Sequence, residues 1–504
     1  MAKDDSLTQK TGVVVFARIL TTVLDLAIVV ATIQLLSKTD FAVIGYLLMI
    51  HEVARNLATL GFPESVFYYF ERVSENARKA FVMQTSGILA LMGLIAGAVI
   101  LIITYFAPEL LSNWDPTDVQ KVQDLLPLMA LVTVLEVPTW PVTNVLLAAD
   151  RQKDSAWYEM LTSLLTFGCL ILPLALGYPL EVAVWGLVVY AVIRFIGSVI
   201  WTYLVLPGSR KVSSGIPLRA QVNFSVPLGM SSLVNKMNRY VDKFVVSILL
   251  PAAVYAEYTI GAQEVPIIRV IPFAVGSVLI SRYVSLEMDS KKDELLQLWY
   301  RGIEKVSLMV LPLTILSIVI APDLISLIAE SDGNSYAGAV LPFQIYNLIV
   351  LLRVTHYGSI LQAFGDTKGV MYLSINLVVA NIILSIPLTM LWGINGTALS
   401  TLLANVYNWY VMLRRIGGHM ELPPRKVLPF PFYLRVLGLS AAIGLPVWLS
   451  RHYWIGEEST LLGLGWSIPL YLLLFALLGT LTNTITADDW KKFREWASLK
   501  FLWS

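Results

Sequence analysis

Lys236, Arg239 and Lys243 follow one another at i, i+3 and i+7, with Asn235 and Asp242 at the margin of the stripe. That spacing puts the three cations on one face of a helix. The surrounding stretch, 222–269, has the apolar content of two membrane-crossing helices, yet it also holds Glu257, Glu264 and Arg269. A charge at the centre of a bilayer costs about 2.5–3.5 kcal/mol on insertion scales, so such residues face a hydrated cavity or the bundle interior. A guanidinium group donates two parallel hydrogen bonds to a phosphate. A cationic helix face inside a membrane is therefore suited to a phosphate-bearing ligand.

Other intramembrane charges extend the pattern. Arg18 and Asp25 are seven residues apart and share a helix face; Glu52 and Arg55 are three apart and within pairing reach; Arg353 and His356 are again three apart. Arg18, Asp25, Arg55, Lys236, Arg239, Asp242, Arg269 and Arg353 are thus the expected lining of a substrate site. Carboxylates in such places also carry protons or bind cations, which makes Asp25, Glu52, Glu136 and Glu264 candidates for H+ or Na+ coupling. The competing reading is that each charge is neutralised by a neighbour and locks helices together, and for Glu52 salt-bridging is the simpler role.

These residues need helices to hold them. Of 504 residues, 57% are hydrophobic and 14% charged, where a soluble protein carries about 25% charge. Mean hydropathy is +0.70. Apolar runs recur along the whole length, so the chain reads as an all-α polytopic membrane protein. The net charge of +1 gives no nucleic-acid footprint. Cys169 is the lone cysteine and can close no intramolecular disulfide. There is no H-E-x-x-H, no G-x-S-x-G and no phosphate-cradling glycine loop, and the four histidines lack ligand spacing. No catalytic residue, metal or organic cofactor is expected, and the protein is read as not an enzyme.

About fourteen spans are expected from length and loop charge. They cover 11–36, 40–61, 80–107, 125–149, 156–176 and 182–206, then two within 222–286, then 306–329, 340–364, 370–392, 396–416, 432–449 and 461–482. The segment FPESVFYYFERV continues span 2 as an amphipathic stretch, and Pro138 and Pro141 interrupt span 4 beside Glu136. The first span is too long for a signal-peptide core and is kept as a helix. Trp490, Phe493 and Trp496 lie opposite Lys491, Lys492 and Arg494 in the tail, the pattern of a helix resting on an anionic membrane surface. Lys and Arg concentrate in alternate loops, from Lys3 and Lys10 through Arg72, Arg78, Arg151, Arg210, Lys291, Lys368 and Arg414 to the tail. The opposite loops hold only Lys38, Lys121 and Arg451. Both termini are therefore expected in the cytoplasm.

The chain also repeats itself. LLSKTDFAVIGY after span 1 aligns with LLPAAVYAEYTI after span 7 at an offset of 214 residues (249 − 35). The same offset pairs Arg55 with Arg269, Tyr69 with Tyr283, Leu147 with Leu361 and Ala149 with Ala363, and sets Asp25 against Arg239. Six spans are repeated in the same orientation, and parallel repeats of this kind build transporters with a site between two lobes. The expected organisation is an N-lobe at 1–206, a C-lobe at 207–416, a helix pair at 417–484 and an amphipathic cytoplasmic tail at 485–504. The site is expected at the seam between spans 1–2 and 7–8.

Two sets of six helices plus a final pair, with TDFAVIGY at 39–46 and LQAFGDTK at 361–368, resemble the polysaccharide transporter family. These are the O-antigen and exopolysaccharide flippases of the multidrug/oligosaccharidyl-lipid/polysaccharide exporter superfamily. The resemblance implies a bacterial inner-membrane protein that moves an undecaprenyl-diphosphate-linked oligosaccharide between leaflets by alternating access. In that picture Arg18, Arg55, Arg239 and Arg269 hold the diphosphate and sugar, and spans 13 and 14 form a groove for the lipid tail. The partners it implies are the lipid-linked oligosaccharide, membrane lipids and polysaccharide polymerase or assembly proteins. The alternatives are a cation-coupled multidrug exporter, a lipid II flippase-like transporter and a non-transporting scaffold. A basic cavity argues against the drug exporter, and charge inside the spans argues against the scaffold.

Overall fold

The computed structural model describes residues 20–206, 208–209, 212–330, 334–456 and 459–497. Arg18, Lys3, Lys10 and Arg210 lie outside these residues. The side chains of Asn235, Arg269, Lys492, Phe493 and Trp496, although on helices, are also outside the description. The chain is all-helical, and among the described residues ten helices are long and apolar enough to cross a membrane. Two shorter apolar helices, Leu20–Leu35 and Ala337–Leu351, accompany them. Chain contacts divide the protein into two compact units, Met1–Ala256 and Glu257–Ser504.

The first unit begins with α1 (Leu20–Leu35). In α2 (Lys38–Thr59), the Ser37 hydroxyl caps the N-terminus by accepting from the Asp40 amide. Span 2 does not run straight on: Leu60 and Gly61 are both left-handed, and α3 (Phe62–Phe70) restarts with Pro63 in its first turn. The long α4 (Glu75–Tyr105) ends at Phe106, and Pro108 opens the short α5 (Ala107–Leu110). Span 4 consists of α6 (Pro116–Glu136), a 3-10 turn at Val137–Thr139 and α7 (Val142–Ala148). Pro138 and Pro141 cannot supply the amides a continuous helix needs there. The helices α8 (Gln152–Ala175) and α9 (Leu180–Val205) follow, then α10 (Leu218–Leu249), 32 residues long. Despite that length, α10 is not among the ten apolar candidates. Arg219, Lys236, Arg239, Asp242 and Lys243 dilute its hydropathy. It packs on α2 and α3, while α4 and α9 pack along α6.

The second unit takes in the end of α11 (Ala252–Gly261), then α12 (Pro266–Met288), α13 (Lys292–Val319) and α14 (Ala321–Ala329). Span 8 is therefore broken at 262–265, where Val265 precedes Pro266 and takes an extended ψ of 115°. Span 10 is broken as well, into α15 (Val340–Leu351) and α16 (Tyr357–Ala363). The 54-residue α17 (Thr367–Met420) covers spans 11 and 12, and its turn is made by Trp392 and Gly393 at non-helical angles. α18 (Phe430–Ser450), a π turn at Arg451–Ile455 and α19 (Thr460–Leu481) follow. The core of this unit is an aromatic column of Tyr283, Trp299 and Tyr357, with the Trp299 indole donating to the Val427 carbonyl at 2.9 Å. The tail forms α20 (Ala487–Ala497), opened by a reciprocal cap between Thr486 and Asp489. Lys305 pairs with Asp489, and Lys491 and Arg494 are exposed.

The repeat is visible in the elements themselves. Offset by 214, α1 and α10 end at Leu35 and Leu249, and α2 and α11 begin at Lys38 and Ala252. Phe106 and Ile320 share φ −89° and ψ 5°, and each precedes an Ala-Pro start at Ala107 and Ala321. The break in span 4 matches the break in span 10, and with one residue inserted the left-handed Asp150 matches the left-handed Gly365. One residue later in register, α8 begins at Gln152 and α17 at Thr367. Large apolar side chains on the lipid-accessible faces, such as Leu91, Leu94 and Ile102 on α4 and Ile383 and Met390 on α17, are exposed. A soluble protein would not leave so much apolar surface open.

Candidate functional site

Glu136 ends α6 where the prolines of span 4 begin, and its side chain is only 5% exposed. His51 of α2 approaches one carboxylate oxygen through Nε2 at 2.8 Å. Arg194 of α9 donates to the other from Nη1 at 2.6 Å, and Arg55 of α2 stands 3.6 Å from it. Isolated burial of a carboxylate would cost several kcal/mol, and three cationic or donating neighbours compensate it here. The network extends outward from this centre. His51 Nδ1 meets the Thr133 hydroxyl at 2.7 Å, and Arg194 Nε donates to Thr139 at 3.0 Å. Arg55 pairs with Glu52, whose other oxygen accepts from the Tyr240 hydroxyl of α10 at 2.6 Å. The Arg55 guanidinium lies 4.0 Å over the Trp140 ring, and that of Arg194 lies 5.2 Å from the same ring.

Two carboxylates and two guanidinium groups thus balance around one tryptophan. Helical spacing explains the Glu52–Arg55 pair. Arg194 was not among the residues singled out from sequence. It is the single charge between Glu181 and Val205 of α9, and that isolation was the available signal.

The second unit holds a pair of opposite sense at its own broken helix. Arg353 lies in the gap between α15 and α16 and donates to both oxygens of Glu264 at 2.7 and 2.8 Å. In the first unit the acid lies at the break and the base on span 2; in the second the base lies at the break and the acid on span 8. His356 touches the Ser359 hydroxyl at 2.7 Å and meets the edge of Phe273.

The basic stripe of α10 differs from both pairs. Among the described residues, no ion pair involves Lys236, Arg239 or Lys243, whereas Arg55, Arg194, Arg353, Arg415 and Arg451 each have a carboxylate partner. Arg239 is exposed and Lys236 half-buried, while Asp242 is buried and accepts from the Lys243 amide at 2.8 Å. Asp25 is exposed on α1, and among the described residues no ion pair joins it to Arg239. Arg269 is carried by α12, and Arg18 is outside the described residues. No group of three metal-binding side chains occurs among the described residues.

A family model described as "Polysaccharide biosynthesis protein" matches residues 32–338. No curated protein matches the chain. Among solved structures, the chain is similar to a lipid II flippase, MurJ, in an inward closed conformation, with 16% identity and a TM-score of 0.69. That likeness covers 92% of this chain and 98% of the other. It is also similar to an inward-facing multidrug resistance MATE family transporter of the MOP superfamily, with 14% identity, a TM-score of 0.58, and coverage of 80% and 94%. An outward-facing structure of such a transporter gives 12% identity and a TM-score of 0.51 over 82% and 94%.

Proposed function

We propose that this chain, which belongs to the polysaccharide biosynthesis protein family, is a flippase for an undecaprenyl-diphosphate-linked oligosaccharide. It works in the bacterial inner membrane by alternating access, with both termini in the cytoplasm. The observation that carries the reading is the contrast between paired and unpaired cations. Arg55, Arg194 and Arg353 are committed to carboxylates within their own units, whereas Lys236 and Arg239 have no ion pair among the described residues. A dianionic diphosphate supplies the missing partner. The sequence adds Arg18 and Arg269 as candidate phosphate ligands, and the paired groups hold the helices of their own units rigid. Coupling to H+ or Na+ runs through the His51–Glu136 pair, where a proton or cation changes the charge balance of a buried cluster. Polymerase and assembly proteins receive the product.

Depletion of the protein should strand lipid-linked oligosaccharide on the cytoplasmic leaflet. A wild-type copy should clear it, and Arg239→Ala and Arg269→Ala copies should clear it at least ten-fold more slowly. Full rescue by both variants would remove the cationic site from the account. Unchanged rescue by Arg239→Ala with loss of drug resistance instead would favour the exporter.

A further inference from the structure

A second concave site lies within the second unit, at the end of α18 opposite Arg425 and Lys426. It encloses about 370 Å³, within the range of about 300–1,000 Å³ typical of small-molecule sites. Asp323, Glu330, Tyr336, Trp448, Arg451 and His452 supply its chemistry. Arg451 grips Asp323 through two hydrogen bonds, Nη2 to Oδ1 at 2.6 Å and Nε to Oδ2 at 3.0 Å. Both side chains are 12% exposed. The π turn that starts at Arg451 widens the end of α18, and such turns recur at functional sites. Gly463 of α19 makes room for the guanidinium, since a Cβ there would lie 2.1 Å from Arg451 Nε. On the other wall, Trp448 and His452 stack in parallel planes, 3° apart with centroids at 5.8 Å. Ser326 bridges Glu330 and Thr460.

We infer that this pocket is a saccharide-binding site, distinct from the cationic stripe of α10, that takes the terminal sugar of the glycan. Among the described residues, two carboxylates against one guanidinium give a lining that repels phosphate. Carboxylate oxygens accept from sugar hydroxyls, the bidentate Arg451–Asp323 pair fixes their orientation, and the exposed Trp448 ring offers an apolar face to a sugar ring. A neutral, hydroxylated ligand satisfies all three. The inference rests on the glycan substrate proposed above, but not on which way the glycan moves.

The test uses the full-length protein in detergent and the oligosaccharide freed by mild acid from the lipid-linked pool of cells that depend on it. Saturation-transfer NMR should show contact with the terminal sugar in the wild type. That signal should fall at least ten-fold in Trp448→Ala and in Glu330→Gln, which leaves the Arg451–Asp323 pair intact, and should persist in Arg239→Ala. No transfer in the wild type, or transfer that survives both pocket variants, would overturn the inference. If leaflet transport proves absent while the pocket signal holds, the flippase reading fails and the sugar site stands. If transport proceeds with no pocket signal, the reverse follows.

Discussion

A carboxylate carried into the interior of a helix bundle must be neutralised by its neighbours, and Glu136 is held by His51, Arg55 and Arg194. Glu136→Leu strands the Arg194 guanidinium, while Arg55 keeps Glu52, and breaking a buried pair in this way costs about 3–5 kcal/mol. Thermal unfolding in detergent should show that loss. The double variant Glu136→Leu/Arg194→Leu should recover part of it. At the turn before α17, Asp366 shows the same logic nearer water. Arg415 donates to it through two nitrogens, His419 lies 2.9 Å away and the Gly369 amide 3.0 Å. The Arg415 hydrogen bonds hold its carboxyl well below the usual carboxylate range, with His419 and the Gly369 amide adding to the effect. The unfolded chain therefore takes up the proton first, at about pH 3.9. The stability advantage of wild type over Asp366→Asn should be complete above that pH. It should shrink as the pH falls toward the depressed folded value, as a pH series of unfolding curves would show. The Glu52–Arg55 pair was legible because three residues of helix place them together. Glu136–Arg194 was not, because 58 residues separate them and only the packing of α6 against α9 joins them.

Broken helices are the recurring device of both units. Where α2 gives way to α3, Gly61 has φ 75°, and a Cβ on Gly229 of α10 would sit 2.1 Å from the Leu60 carbonyl carbon. The two backbones meet there without side chains between them. Gly229→Ala must push α10 off this junction, and overpacking of this kind costs about 1–3 kcal/mol. A lowered unfolding temperature should be accompanied by faster amide exchange at the start of α3 and along α10. An unchanged exchange pattern would show that the close approach is not maintained in the membrane. Prolines made the interruption of span 4 readable from sequence. The matching gap at 352–356 has no proline, so span 10 read as continuous. The left-handed junction at Leu60–Gly61 was hidden for a related reason, because the aromatic run after it keeps helical spacing. The repeat itself had a clearer signature than the pairs first aligned. FAPEL at 106–110 and IAPDL at 320–324 share both offset and backbone angles.

At the scale of the molecule, two copies of one helical plan carry charge pairs of opposite sense at their broken helices, and a basic stripe lies on α10. Composition and loop charge sufficed to read a polytopic helical protein. The separation of locked charges from available ones was not legible, because burial and partner choice depend on tertiary packing. In the function proposed above, the available cations carry a lipid diphosphate across the membrane. The most direct measurement reconstitutes the protein in proteoliposomes with a fluorescent undecaprenyl-diphosphate oligosaccharide in the inner leaflet, and follows its arrival outside with a membrane-impermeant quencher. Exchange should depend on the protein, be at least ten-fold slower with Lys236→Ala/Arg239→Ala, and be lost when the lipid carries no phosphate. Exchange of equal rate by the wild type and the double variant, or no exchange by the wild type, would contradict it.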